Sequence, residues 1–171
     1  MHSGFRVRTV PQMGTNTKGV PRRAPATKRR ENVYQTIMAP VDLAHADKLA
    51  HALQVTGDLA RHWGAKVVYV GVSAATPGAL AHTPEEYGAR LQEFAAVQAK
   101  SFGIEAAAHP VTSHDPATDL DPALLKAVDD TGADLVVMAS HIPNIADRFW
   151  PSNGGTIAAR AAVSVMVVRP K

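Results

Sequence analysis

Two short stretches carry residues whose types and spacing could do chemistry. In Met38-Ala39-Pro40-Val41-Asp42 an apolar run stops at a proline and a carboxylate follows at once. In Met138-Ala139-Ser140-His141 a second apolar run ends in a hydroxyl and an imidazole, and a long loop then leads to Ser152-Asn153-Gly154-Gly155. Ser152 and Asn153 are both good helix N-caps, and a helix start presents free backbone N–H groups and about half a positive charge. That chemistry suits an anion, a phosphate above all. Each piece also has a plainer use. Asp42 can cap the following helix, Ser152-Asn153 can be a cap and nothing more, and His141 can be a hydrogen-bonded loop histidine.

Other chemistries lack their residues. There is no cysteine, which excludes a disulfide scaffold, thiol catalysis and cysteine-ligated metal sites. No Walker loop, no G-x-G-x-x-G after a strand and no H-E-x-x-H occurs. His45, His51, His62, His82, His109 and His114 are scattered and form no spaced ligand set, so no metal site is expected. Asp115, Asp119 and Asp121 do not have EF-hand spacing and read as helix-leading residues. Trp63 and Trp150 read as packing residues.

The elements that must position the two stretches follow from period and punctuation. Strands are expected over Val33–Ala39, Lys66–Val72, Ile104–Val111, Ala133–Ala139 and Val163–Val168, each a nearly continuous apolar run of the kind buried on both faces. Helices are expected over His45–Trp63, Pro84–Phe102, Asp121 to about Thr131, and Asn153–Ala162. The second has Thr83 as cap, Pro84 at its first position, Glu85 and Glu86 on its dipole, and Gly103 at its end. Alternation of strand and helix with short connections predicts a parallel sheet with helices on both faces. Ligands bind such sheets outside the carboxyl ends of the strands, where strand order reverses. Both stretches lie at strand ends of that kind.

Charge divides the chain. Residues 1–30 hold eight of the 18 Lys and Arg and no acidic residue; residues 31–171 hold ten basic residues against all 15 Asp and Glu. The composition of 1–31 predicts a disordered basic tail, and 32–171 a single domain. A nucleic-acid role is expected only through that tail, which has one aromatic residue, Phe5, for stacking. No stretch approaches the roughly 20 apolar residues of a membrane span, and no apolar segment of secretory type follows the N-terminus. A cytoplasmic protein is the expectation.

The loop Ala139-Ser-His-Ile-Pro-Asn-Ile-Ala-Asp-Arg-Phe-Trp-Pro-Ser-Asn153, followed by Val163-Ser-Val-Met-Val-Val-Arg169, resembles the C-terminal signature of universal stress proteins. Within that family it is most similar to the F/G-type subgroup, whose loop reads A-S-H-R-P-x-I and then G-S-N. Ile37-Met-Ala-Pro-Val-Asp42 is similar to the family's I-L-V-P-V-D. The resemblance covers about residues 32–170. It implies a five-stranded parallel sheet in the order 3-2-1-4-5, the adenine nucleotide alpha hydrolase-like fold, and a homodimer joined through the last strand. It also implies a site for ATP or AMP, with Mg only as the nucleotide's companion. Pro40, Val41 and Asp42 would lie at the nucleoside. Ala139, Ser140, His141, Ile142, Pro151, Ser152 and Asn153 would lie along the phosphates.

The chain departs from the family's ATP-binding pattern G-x-x-G-x9-G-[ST]. Ala139, Ile142 and Pro151 stand at the three glycine positions, with eight residues between the last two. Glycine there permits positive φ and close backbone approach, and proline removes an N–H donor. The expected function is that of a nucleotide-responsive stress protein acting on an unidentified protein partner, with no catalytic residue assigned. Two alternatives stand beside it: an interaction module of the same fold without ligand, and a weak ATPase or autophosphorylating protein.

Overall fold

The computed structural model describes residues 32–140 and 153–169. The expected tail and most of the loop after Ser140 lie outside the described residues. Among the described residues there are five strands: β1 (Thr36–Pro40), β2 (Lys66–Ala74), β3 (Ala106–Ser113), β4 (Leu135–Ala139) and β5 (Ser164–Val168). Four helices join them: α1 (Ala50–Trp63), α2 (Pro84–Phe102), α3 (Pro116–Thr131) and α4 (Asn153–Arg160). Every strand pairing is parallel and the order is β3-β2-β1-β4-β5, as the resemblance implies.

Alternation along each strand divides the core into two layers. Ile37, Ala39, Val67, Tyr69, Leu135 and Val137 pack with Leu53 and Ala60 of α1 and Leu91 and Ala95 of α2. Met38, Val68, Val70, Val136 and Met138 pack with Leu124 and Ala127 of α3 and Ile157 of α4. Complete burial of a Leu91 or a Leu124 stabilises by about 1.5–3 kcal/mol each. Both faces of the central strands are therefore dry, which is why the sequence shows runs and not alternation.

The helix α2 has the bounds its punctuation predicts. Thr83 Oγ1 accepts from Glu86 N at 3.1 Å, the Glu86 carboxylate accepts from His82 N at 2.8 Å, and Gly103 closes the helix at φ 63°. Together the Thr83 and Glu86 side chains satisfy two N–H groups at the helix start.

Two other helix starts differ from expectation. The helix expected from His45 begins as a 3₁₀ segment, Leu43–Leu49, and becomes α-helical only at Ala50. Asp42 causes this: its Oδ1 accepts from Ala44 N at 2.9 Å and its Oδ2 pairs with His45 Nδ1 at 2.7 Å, leaving His45 at a non-helical φ of −127° and ψ of 30°. The helix α3 opens at Pro116, five residues before the expected Asp121. Asp115 O accepts from Thr118 N and Asp119 N, and Ser113 Oγ donates to Asp119 Oδ2 at 2.8 Å. Pro122 sits inside the helix, where it forgoes one backbone bond. Burial of Leu120, Leu124 and Ala127 on both sides of it holds the helix together.

A reciprocal clamp fixes the amino end of β1. Asp134, just before β4, accepts from Gln35 N at 2.8 Å and Thr36 N at 3.1 Å, while its own N–H donates to Thr36 O at 3.0 Å. At one margin of the sheet, β3 carries Pro110, paired in register with Gly71. The ladder continues on both sides of it, so the missing donor falls on the outer side of that edge strand.

Candidate functional site

At the carboxyl end of the sheet β1 and β4 part company. Their pairing is confined to Ile37↔Leu135 and Met38↔Val136. Beyond that, Val41 N donates to Val70 O at 2.8 Å on one side, and Ser140 N donates to Val168 O at 2.7 Å on the other. The strands thus turn toward opposite neighbours, which opens the crevice expected where strand order reverses.

A cavity of about 280 Å³ adjoins this crevice. Its floor is Val41 and Asp42 at the end of β1 and Val70 and Val72 of β2; Leu120 and Leu124 of α3 form one wall, Tyr87 of α2 another, and the segment after β2 covers it. Most of the lining is aliphatic, with few polar side chains. Flat heteroaromatic ligands suit such a site, their faces against the aliphatic groups and their edges against the few polar ones.

Those polar groups are not equally available. Both oxygens of Asp42 are engaged, one by Ala44 N and the other by His45, and its side chain is 16% exposed. Thr83 Oγ1 accepts from Glu86 N. The Tyr87 hydroxyl makes no hydrogen bond among the described residues. Burial, and then the negative charge of Asp42, raises the Tyr87 phenol well above the ordinary tyrosine range, so it stays protonated at every physiological pH.

The residues that the sequence singles out are distributed as follows. Val41 and Asp42 line the cavity, and Pro40 is the buried last residue of β1. Ala139 ends β4 and Ser140 follows it, on the far side of the crevice; Ser140 Oγ is buried without a partner among the described residues. Asn153 is the first residue of α4. His141, Ile142, Pro151 and Ser152 lie outside the described residues. Among the described residues no group of three or more His, Cys, Asp or Glu could hold a metal ion, and no helix is long and apolar enough to cross a membrane.

Four cavity residues fall outside the site expected from the sequence. His45 stands three residues after Asp42, within reach of it across one turn, yet belongs to no spaced ligand set. Tyr87 and the aliphatic pair Leu120 and Leu124 come from helices distant in sequence. One signal did point to Tyr87: a glycine, Gly71, inside an otherwise apolar strand marks close approach by another group.

A doubly wound α/β domain with a ligand-sized cavity at the carboxyl ends of β1 and β2, beside its switch point, is therefore the class defined by fold and site. The chain matches the universal stress protein family over residues 33–169 and belongs to that family. Among curated protein sequences none matches at a significant level. Solved structures share the fold. A universal stress protein in complex with cAMP is 22% identical, with a TM-score of 0.60, covering 81% of this chain and 99% of that one. The universal stress protein from Archaeoglobus fulgidus in complex with dAMP is 19% identical, with a TM-score of 0.54, covering 79% and 98%. A family protein from Arabidopsis thaliana with AMP bound is 12% identical, with a TM-score of 0.56, covering 80% and 92%.

Proposed function

We propose that this protein is a cytoplasmic, adenine-nucleotide-responsive regulator of the F/G type that binds AMP or ATP in the cavity beside Asp42. The observation that carries the reading is the aliphatic cavity at the ends of β1 and β2, with a carboxylate and a phenol at its margin. Its size suits a nucleoside and not a whole triphosphate, so the phosphates would run toward Ser140, His141, Ile142, Pro151, Ser152 and the start of α4. Mg would accompany the nucleotide's phosphates and not occupy a protein site. The adenine nucleotides bound by structural neighbours support the same ligand class.

Mass spectrometry of protein purified without added nucleotide, followed by equilibrium dialysis, tests this. Bound adenine nucleotide, or saturable binding below millimolar concentration, is expected; no nucleotide and no binding at millimolar AMP or ATP would reject it. One observation favours a second reading, an interaction module without ligand: both Asp42 oxygens are satisfied within the chain. In that case Asp42→Ala leaves partner binding unchanged.

The homodimer of this reading forms through β5. That strand ends the sheet, and Met166 and Val167 on it are both 39% exposed. Light scattering should give twice the chain mass for the native protein and the chain mass for Met166→Lys.

A further inference from the structure

The Tyr87 ring occupies a place made for it by an absence. A Cβ on Gly71 would lie 2.4 Å from Tyr87 Oη and 3.0 Å from its Cε1, closer than such atoms approach, so only glycine lets the ring settle against β2. Gly71 lies one residue past Val70 and one before Val72, at the point where β2 reaches the cavity. The ring is thereby held between the strand and the start of α2, whose own geometry is fixed by the Thr83 and Glu86 caps. Tyr87 is 5% exposed overall.

Its hydroxyl differs from that of the other core tyrosine. Tyr69 Oη is sealed in the interior without a partner among the described residues, whereas Tyr87 lines the cavity and its hydroxyl is not among the sealed atoms. A buried phenol that could have been a phenylalanine normally has a hydrogen-bond partner. Near the floor Asp42 is already doubly engaged, and Thr83 already accepts from Glu86 N. Ser73 and Thr76 also bring hydroxyls to the lining, but Tyr87 Oη is the donor whose ring is held in place by its packing against Gly71.

Resting on the nucleotide reading above, we propose that Tyr87 is the specificity-determining residue of the cavity, donating from Oη to a ring nitrogen of the bound base. The aliphatic groups Val70, Val72, Leu120 and Leu124 supply area but no edge recognition, so the phenol sets which heterocycle is held and in what orientation.

Calorimetric titration of the full chain with AMP tests this, comparing the native protein with Tyr87→Phe and Gly71→Ala. Tyr87→Phe keeps the ring and should bind AMP about ten-fold more weakly with its melting temperature unchanged. Gly71→Ala pushes the ring from its place and should weaken binding at least as much. AMP analogues in which one ring nitrogen is replaced by CH identify the contact. One of them should lose affinity for the native protein and lose none further for Tyr87→Phe. A native protein that binds no adenine nucleotide overturns both this inference and the function it rests on. Native binding that Tyr87→Phe leaves intact overturns this inference alone. So does a loss in Tyr87→Phe with every analogue discriminated equally by both proteins, which would place the hydroxyl on the sugar.

Discussion

Two aspartates stand at opposite ends of the central strand, and they are used differently. Asp134 serves the amino end: its carboxylate accepts two backbone N–H groups of β1, and its own N–H returns a bond to Thr36. Asp42 serves the carboxyl end: it accepts one backbone N–H, from Ala44, and spends its other oxygen on the side chain of His45. Backbone donors cannot leave without unfolding the strand, whereas an imidazole can rotate away. A carboxylate saturated by main chain is therefore part of the scaffold. One held partly by another side chain, at the rim of a cavity, can exchange that partner for a ligand without breaking the strand.

The largest effect should come from breaking the scaffold carboxylate. Asp134→Ala removes a charged acceptor from two strand N–H groups and should cost about 2–3 kcal/mol of stability. Denaturant titration reads the loss, and AMP affinity measured well below the melting temperature should be unaltered. Asp42→Asn should give the converse. The amide oxygen can still accept from Ala44 N, so stability should fall by less than about 1 kcal/mol. AMP affinity should fall by about ten-fold or more in the same calorimetric titration. A stability loss at Asp42 equal to that at Asp134 would erase the distinction.

The smallest effect sharpens the comparison with a third carboxylate. Glu86 also holds main chain, through His82 N, but it is exposed at the start of α2. The His82 N–H first, and then Arg90, lower its pKa below the ordinary 4.5. Because the folded value is depressed, its stabilisation is complete above pH 4.5 and is lost as the pH falls through the lowered value. Melting curves of native protein and Glu86→Gln should therefore differ slightly at pH 7 and draw together as the pH falls below 4.5.

Much of this was legible in the sequence where the cause is local. Thr83, Pro84, Glu86 and Gly103 lie within or beside α2 and fix its bounds, and the continuous runs of β1, β2 and β4 report burial on both faces. The runs of β3 and β5, by contrast, lie at the margins and are only partly covered. Asp42 was legible both as a cap and as a site residue, because its position after Pro40 at a strand end implies each. The 3₁₀ turn was not, since it depends on which atoms of His45 and Ala44 reach one carboxylate. Nor was the early start of α3, where Ser113 and Asp115 act from before the helix and Pro122 misleads as a first position. Asp134 leaves no local trace at all: its partners are about a hundred residues earlier. Tyr87 belongs between these cases, invisible on its own helix but implied by the gap at Gly71.

The proline in β3 has a bearing on assembly. An edge strand that lacks an outward donor at its centre is a poor template for another strand. Of the two margins of this sheet, the β3 side is blunted by Pro110 and the β5 side is not. Addition of a further strand is therefore favoured beside β5. If that addition is a second copy placed about a twofold axis, the outer margins of the joined sheet are both β3, and growth stops at two chains instead of continuing into a fibre.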